Sequence, residues 1–217
     1  MSWLDDKNTT KKYQNLRVET RKVVEKITDF AAKHHTITKA AKSLGMLNGK
    51  TIVMNSESDT SYLMDYALFE VKIGAQTTLE YFYDYGPELS AKEDEYLATM
   101  LENYTSFFEI TGLDKANATV HLIDILNDNK PLSIVDIALS QNQDLVGVLL
   151  FSRILTFDDL NMTSGASMTF FAYYKTDLLN RLSLLKFKNR GQLSRAQLFA
   201  FFYNQHLSIG VETRFEE

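Results

Sequence analysis

Four carboxylates close together, Glu57, Asp59, Asp65 and Glu70, are the residues of this chain best placed for acid–base or metal chemistry. Such a group could hold a divalent cation or shift a proton. The spacing argues against a shared site, because Asp59 and Asp65 are six residues apart and fall on different faces of a helix. Carboxylates also settle readily at helix starts, so capping and surface charge are the expected roles of all four. His34 and His35 are adjacent, which in a helix turns their rings about 100° apart and prevents both from reaching one ion. His121 alternates with Val120 and Leu122 on an expected strand, and a triad with Asp124 and a serine can be drawn only on paper. The stretch Ser164-Gly165-Ala166-Ser167 reads as a turn, and no Gly-x-Ser-x-Gly elbow occurs. There is no GxxxxGK[ST], GxGxxG or HExxH, and no cysteine for a thiolate nucleophile or metal ligand. These residues assign no catalytic group, no metal site and no cofactor.

Charge carries more information than any motif. The net charge of -5 conceals an uneven layout. Residues 7–50 hold eleven Lys or Arg against three acids, a local +8; residues 51–177 hold six against twenty, a local -14; residues 178–211 hold five and no acid. A basic segment of this kind can meet phosphates and release their counterions, so Arg17, Arg21, Lys39 and Lys42 are the candidate polyanion-binding residues. The competing expectation is that the basic ends lie against the acidic middle, within one chain or across a dimer. Ile37 to Gly45, ITKAAKSLG, looks like the first helix and turn of a helix-turn-helix. Asn48-Gly49 and the β-branched run after it point instead to a hairpin where a recognition helix should begin.

The elements that must position these groups follow from periodicity. Apolar residues from Tyr13 to Ala31 recur at three and four residues, which predicts a long amphipathic helix over 9–34. A second helix is expected over 36–44, stopped by Gly45, and a third over 60–71, led by a cap in Ser56 to Asp59 and closed by Gly74. A helix over 77–85 ends at Gly86-Pro87, and Ser90 with Glu93 forms a capping box for the next, to about 104. Beyond Phe107 the period falls to about two, and five short strands are expected around 108–110, 120–122, 134, 145–155 and 168–170. Turns are read at 114–117, 127–129, 141–144, 158–161 and Ser164-Gly165. Two helices, over 176–187 and 194–207, finish the chain, the second with a Ser194/Gln197 capping box.

The fold class is therefore α+β. It comprises a mainly helical region over 1–104 with a short hairpin near 46–54, a β-rich region over 105–174 forming a small antiparallel five-stranded sheet or partly open barrel, and C-terminal helices over 175–217. Phe199, Phe201, Phe202 and Tyr203 crowd more than one face of the last helix, which makes self-association the expected partnership, with another protein next and a nucleic acid behind both. The longest apolar run, Leu145 to Phe151, is far short of a bilayer span, so no membrane is expected. The N-terminal segment has no basic start followed by an apolar stretch, which points to the cytoplasm.

Several short stretches, Ile37 to Gly45, Ser56 to Asp59, Leu63 to Glu70, Phe107 to Ile110 and Ile123 to Leu126, resemble uncharacterised bacterial proteins. In those proteins an AAxxLG-like segment and an LxDxxLFE-like helix precede strands resembling FFEV and LxDLL. The resemblance spans about residues 38–170 and implies a shared fold; it transfers no activity, ligand or catalytic residue. The leading expectation for function is a non-catalytic cytoplasmic binding or regulatory protein. A nucleic-acid-associated protein using the basic N-terminal helices comes second, and an unrecognised hydrolase using Asp, His or Ser third.

Overall fold

The apolar stripe of the first helix and the period-two strands meet in a computed structural model that describes residues 6–157 and 160–211, with side chains from Thr9 onward. Helix α1 (Asp6–Lys33) buries Tyr13, Leu16, Val23, Ile27 and Ala31, the stripe its periodicity requires. It is followed by α2 (Thr36–Ser43), α3 (Asp59–Phe69), α4 (Thr78–Tyr85) and α5 (Ala91–Leu101). The two-residue hairpins β1–β2 (Leu47–Asn48, Thr51–Ile52) and β3–β4 (Lys72–Ile73, Gln76–Thr77) interrupt the helices.

Six antiparallel strands form the main sheet: β5 (Tyr104–Asp114), β6 (Thr119–Asp124), β7 (Lys130–Val135), β8 (Leu149–Phe157), β9 (Leu160–Phe170) and β10 (Gly210–Val211). Their order is β10-β9-β8-β5-β6-β7. All five expected strands are present, and β10, two residues directly after the last helix, adds a sixth. The sheet curls until β7 and β9 approach, and the Asn161 side-chain amide donates to the Ser133 carbonyl at 3.1 Å. Side chains alternate across the pleat, so Phe108, Ile110, Val120, Leu122, Ile134, Leu150 and Ile154 fill the inner face, which Leu139 of the short helix α6 (Ile137–Gln141) and Leu145 close. Phe107, Phe151, Met168 and Phe170 face outward. There they meet α2, α3, Leu178 and Leu182 of α7 (Lys175–Lys188), and Phe199, Phe202 and Tyr203 of α8 (Arg195–Ile209). Phe151 and Phe202 stack at 4.2 Å.

Several expected boundaries move for identifiable reasons. Asn48 pairs with Thr51, so the first hairpin turns on Gly49-Lys50, with Gly49 at φ +62°. Gly74 turns the second hairpin instead of closing α3. Leu145 belongs to a 3-10 turn, and the strand starts at Leu149. Residues 172–174 leave the sheet as another such turn, which puts Tyr173 in solvent. The turn read over 158–161 falls partly on residues 158–159, outside those described. Among the described residues no helix is long and apolar enough to cross a membrane.

The charged segments meet within one chain. Lys26 of α1 lies 2.6 Å from Glu93, Arg17 3.5 Å from Asp136, and Arg195 3.5 Å from Glu70. Phe199, Phe202 and Tyr203 of α8 are likewise buried against the chain's own sheet and α3, while Phe201 is half-buried.

Candidate functional site

The site grows from a fault in the pairing of β8 with β9. Ser152 pairs with Ser167 and Ile154 with Thr163, so one residue, Arg153, faces the three residues Ser164 to Ala166. Such a bulge re-aims side chains and bends its strand. Its centre, Gly165, has φ +101°, which suits a residue without a Cβ. The Ser164-Gly165 turn expected from sequence is thus a bulge inside a strand.

Arg153 lies on the outward face between Phe151 and Leu155 and is 1 % exposed. A buried guanidinium requires acceptors, and two carboxylates supply them, Asp65 of α3 and Glu70 directly after it. Asp65 takes bonds from Nε (2.9 and 3.2 Å) and Nη2 (2.8 Å), a two-nitrogen fork, while Glu70 Oε1 accepts from Nη2 at 2.7 Å. The third nitrogen, Nη1, donates to the side-chain oxygen of Asn103, which also accepts from Arg195. The Phe69 ring centre lies 4.1 Å from the guanidinium carbon, a cation–π contact. Burial works to lower the Arg153 pKa, but Asp65 and Glu70 reverse this and hold it above its ordinary value, so the group stays cationic. Arg195, whose side chain is half exposed, reaches Glu70 at 3.5 Å and completes a cluster of two arginines and two carboxylates. It corrects the expectation of surface charge for Asp65 and Glu70, both of which are buried. Asp59 is buried too. Its carboxylate accepts from the backbone N–H of Asn55 and Ser56 and from the Tyr203 hydroxyl, so it ties down the loop before α3, while Ser58 makes no side-chain cap.

Beside the cluster is a cavity of about 230 Å³ between α1, α3, the end of α5 and the bulge. Val24, Met64, Leu68, Phe69, Met100, Leu155 and Ala166 make most of its wall apolar. Its polar contribution includes three groups. Asp65 forms part of the lining, Ser164 donates to Asp65 Oδ2 at 2.6 Å, and Thr20 is 8 % exposed with a hydroxyl that has no hydrogen-bond partner. A helical threonine ordinarily bonds back to a carbonyl one turn earlier, so this orphan hydroxyl is notable. A second cavity, about 410 Å³, lies across Gly165 and shares Ser61 with the first. Its polar residues are largely committed already: Arg17 donates to the Tyr13 hydroxyl (2.9 Å), the Thr163 carbonyl (2.8 Å) and the Thr163 hydroxyl (3.1 Å).

Of the four candidate polyanion-binding residues, Arg17 is therefore turned inward to β9, while Arg21 on α1 and Lys39 and Lys42 on α2 stand exposed. The segment after α2 is the β1–β2 hairpin, where a helix-turn-helix would need its second helix. His121 bonds Ser133 at 2.9 Å on the surface, whereas Asp124 is buried and accepts from the Ser106 hydroxyl, so no triad forms. Among the described residues no group of three or more His, Asp or Glu could hold a metal ion. The reading from sequence missed Arg153, Asn103 and Arg195. One signal was present: an arginine in the middle of the apolar strand Leu149 to Phe157 must find a buried anion.

Fold and site define an α+β protein whose helices pack on a curved antiparallel sheet and border a small open cavity of mixed polarity beside a largely buried ionic cluster. The chain belongs to a family of unknown function, DUF7986, which it matches over residues 7–216. No curated protein and no solved structure matches it.

Proposed function

We propose that this is a non-catalytic cytoplasmic binding protein whose ligand is a small amphipathic molecule seated between α1, α3 and the β9 bulge. The observation that carries the reading is a mostly apolar cavity lined by Thr20, a residue whose buried hydroxyl has no hydrogen-bond partner. A polar group left unbonded in the interior is costly, and a ligand hydroxyl, amine or amide would satisfy it. Size narrows the class. About 230 Å³ exceeds the roughly 150 Å³ that holds benzene, and falls below the roughly 300 Å³ at which drug-sized pockets begin. One ring or a short branched chain with a single hydrogen-bonding head fits. The Ser164 hydroxyl already donates to Asp65, so its free lone pairs favour a head that donates. A binding role also accords with the chemistry of Ser164, whose carboxylate neighbour has both oxygens occupied by Arg153 and Ser164. A carboxylate so committed positions its neighbours.

Titration with benzyl alcohol and benzylamine tests this, followed through the labelled methyl groups of Met64 and Met100. Saturable shifts of both are expected, weakened several-fold by Thr20→Val, which removes the hydroxyl and keeps the shape. Shifts that never saturate, or binding indifferent to Thr20→Val, would refute the reading.

A further inference from the structure

Helix α7 ends in a corner whose Asn189 accepts from Gln197 of α8 at 3.1 Å but whose largest apolar side chains lie outside the core. Phe187 is 82 % exposed and Leu184, one turn earlier, 62 %. Lys186, Lys188 and Arg190 surround them, all exposed, and no acid occurs from residue 178 to residue 211. Arg181, further back, is occupied with Asp177 at 2.9 Å and Gln205 at 3.0 Å. The corner is built firmly. Gly191, at φ +86°, donates to the Lys186 carbonyl at 2.8 Å, and the Asn189 side chain caps the Leu185 carbonyl at 2.9 Å. Two large apolar side chains are thus held out in water inside a ring of cations.

We infer that this corner seats on an anionic phospholipid surface, with Phe187 and Leu184 entering the headgroup–acyl boundary and Lys186, Lys188 and Arg190 meeting the lipid phosphates and carboxylates. Charge and shape select this occupant. A second copy docking through the same patch would bring like charges together, because a two-fold contact is self-complementary. A stable protein interface covers about 800 Å² on each side, far more than two side chains on a protruding corner present. Nucleic acid would satisfy the cations, but an exposed leucine has no stacking role there. Apolar side chains flanked by Lys and Arg are the pattern of interfacial binding, and the cytoplasmic leaflet supplies the negative surface. The expectation of no membrane came from span length, which does not bear on surface attachment.

Co-sedimentation of the full chain with vesicles of phosphatidylcholine, alone or mixed with phosphatidylserine, tests the inference. The chain should sediment with the mixed vesicles and not with phosphatidylcholine alone, and salt should release it. Lys186→Glu with Lys188→Glu should lower the partition at least tenfold, each charge near the surface contributing about fivefold. Leu184→Ala with Phe187→Ala should lower it comparably, and both pairs should keep the parent's thermal midpoint because the residues are exposed. With Trp3→Phe as background, Phe187→Trp should shift its emission to the blue on mixed vesicles. Absence of phosphatidylserine-dependent sedimentation would overturn the inference. So would loss with the lysine pair but not the apolar pair, or tighter binding to an oligonucleotide than to vesicles.

Discussion

Arg153 shows how far one side chain can dictate its surroundings. Its nitrogens reach Asp65, Glu70 and Asn103, and removing Asp65 takes away the two-nitrogen fork and leaves a buried cation with one carboxylate. Asp65→Ala should therefore destabilise the protein by about 3–5 kcal/mol in urea unfolding, whereas replacing Arg153, Asp65 and Glu70 together by Met, Leu and Met should recover most of that loss. Gly165 is a second sensitive point, for a different reason. A Cβ there would meet only Arg17 Nη1, at 4.0 Å, so space is available and the cost is conformational. Gly165→Ala should lower stability by about 1–3 kcal/mol by the same measurement. At this scale the sequence was least legible. Asp65 and Glu70 look like ordinary charges on an amphipathic helix, and nothing local says that they point at a residue 88 and 83 positions away.

Elements were much easier to read, because their signals are local. The Ser90/Glu93 and Ser194/Gln197 capping boxes form as their spacing requires, and Thr77/Glu80 adds another. The strands declared themselves through alternation. The five-residue α6 did not, being too short to show a period; its start is fixed by the Asp136 carboxylate, which accepts from the Leu139 N–H. The capping box of α5 also fixes a pH response. Lys26, with the Ser90 backbone and hydroxyl, holds the Glu93 carboxyl down at about 2 from an ordinary 4.5. A carboxyl whose folded-state pKa is depressed stabilises the fold above its unfolded value and loses that contribution as pH falls through the folded one. The start of α5 should hence loosen as pH drops from about 4.5 toward 2, seen as fading amide protection at residues 91–94, and Glu93→Gln should flatten that dependence. Ser90→Ala should cost about 1 kcal/mol at neutral pH.

Over the whole molecule, the three regions distinguished by composition are joined by packing. Phe202, near the end of the chain, touches Phe107, Phe151 and Phe170 of the sheet, and its cluster also holds residues of α2 and α3. Phe202→Ala should cost about 3–5 kcal/mol. Calorimetry should show one transition moved down by roughly 2–4 °C for each kcal/mol, with no separate early loss of the C-terminal helices. The charge layout has a similar outcome. Lys26 of α1 and Arg195 at the start of α8 are drawn onto the acidic middle, while the cations at the end of α7 face outward, as do Arg21, Lys39 and Lys42.

The bulge in β9 also sets an order of assembly. Arg153 and the bulge opposite it exist as a unit once the β8–β9 hairpin has formed, a local event. Asp65 and Glu70 can enter the interior only after that, since burying them earlier would desolvate two anions with no counter-charge. Closing an 88-residue separation is slow beside closing a hairpin. Docking of α3 onto the finished hairpin is therefore the late step, and changes at Asp65 should be felt mainly in how fast the protein comes apart.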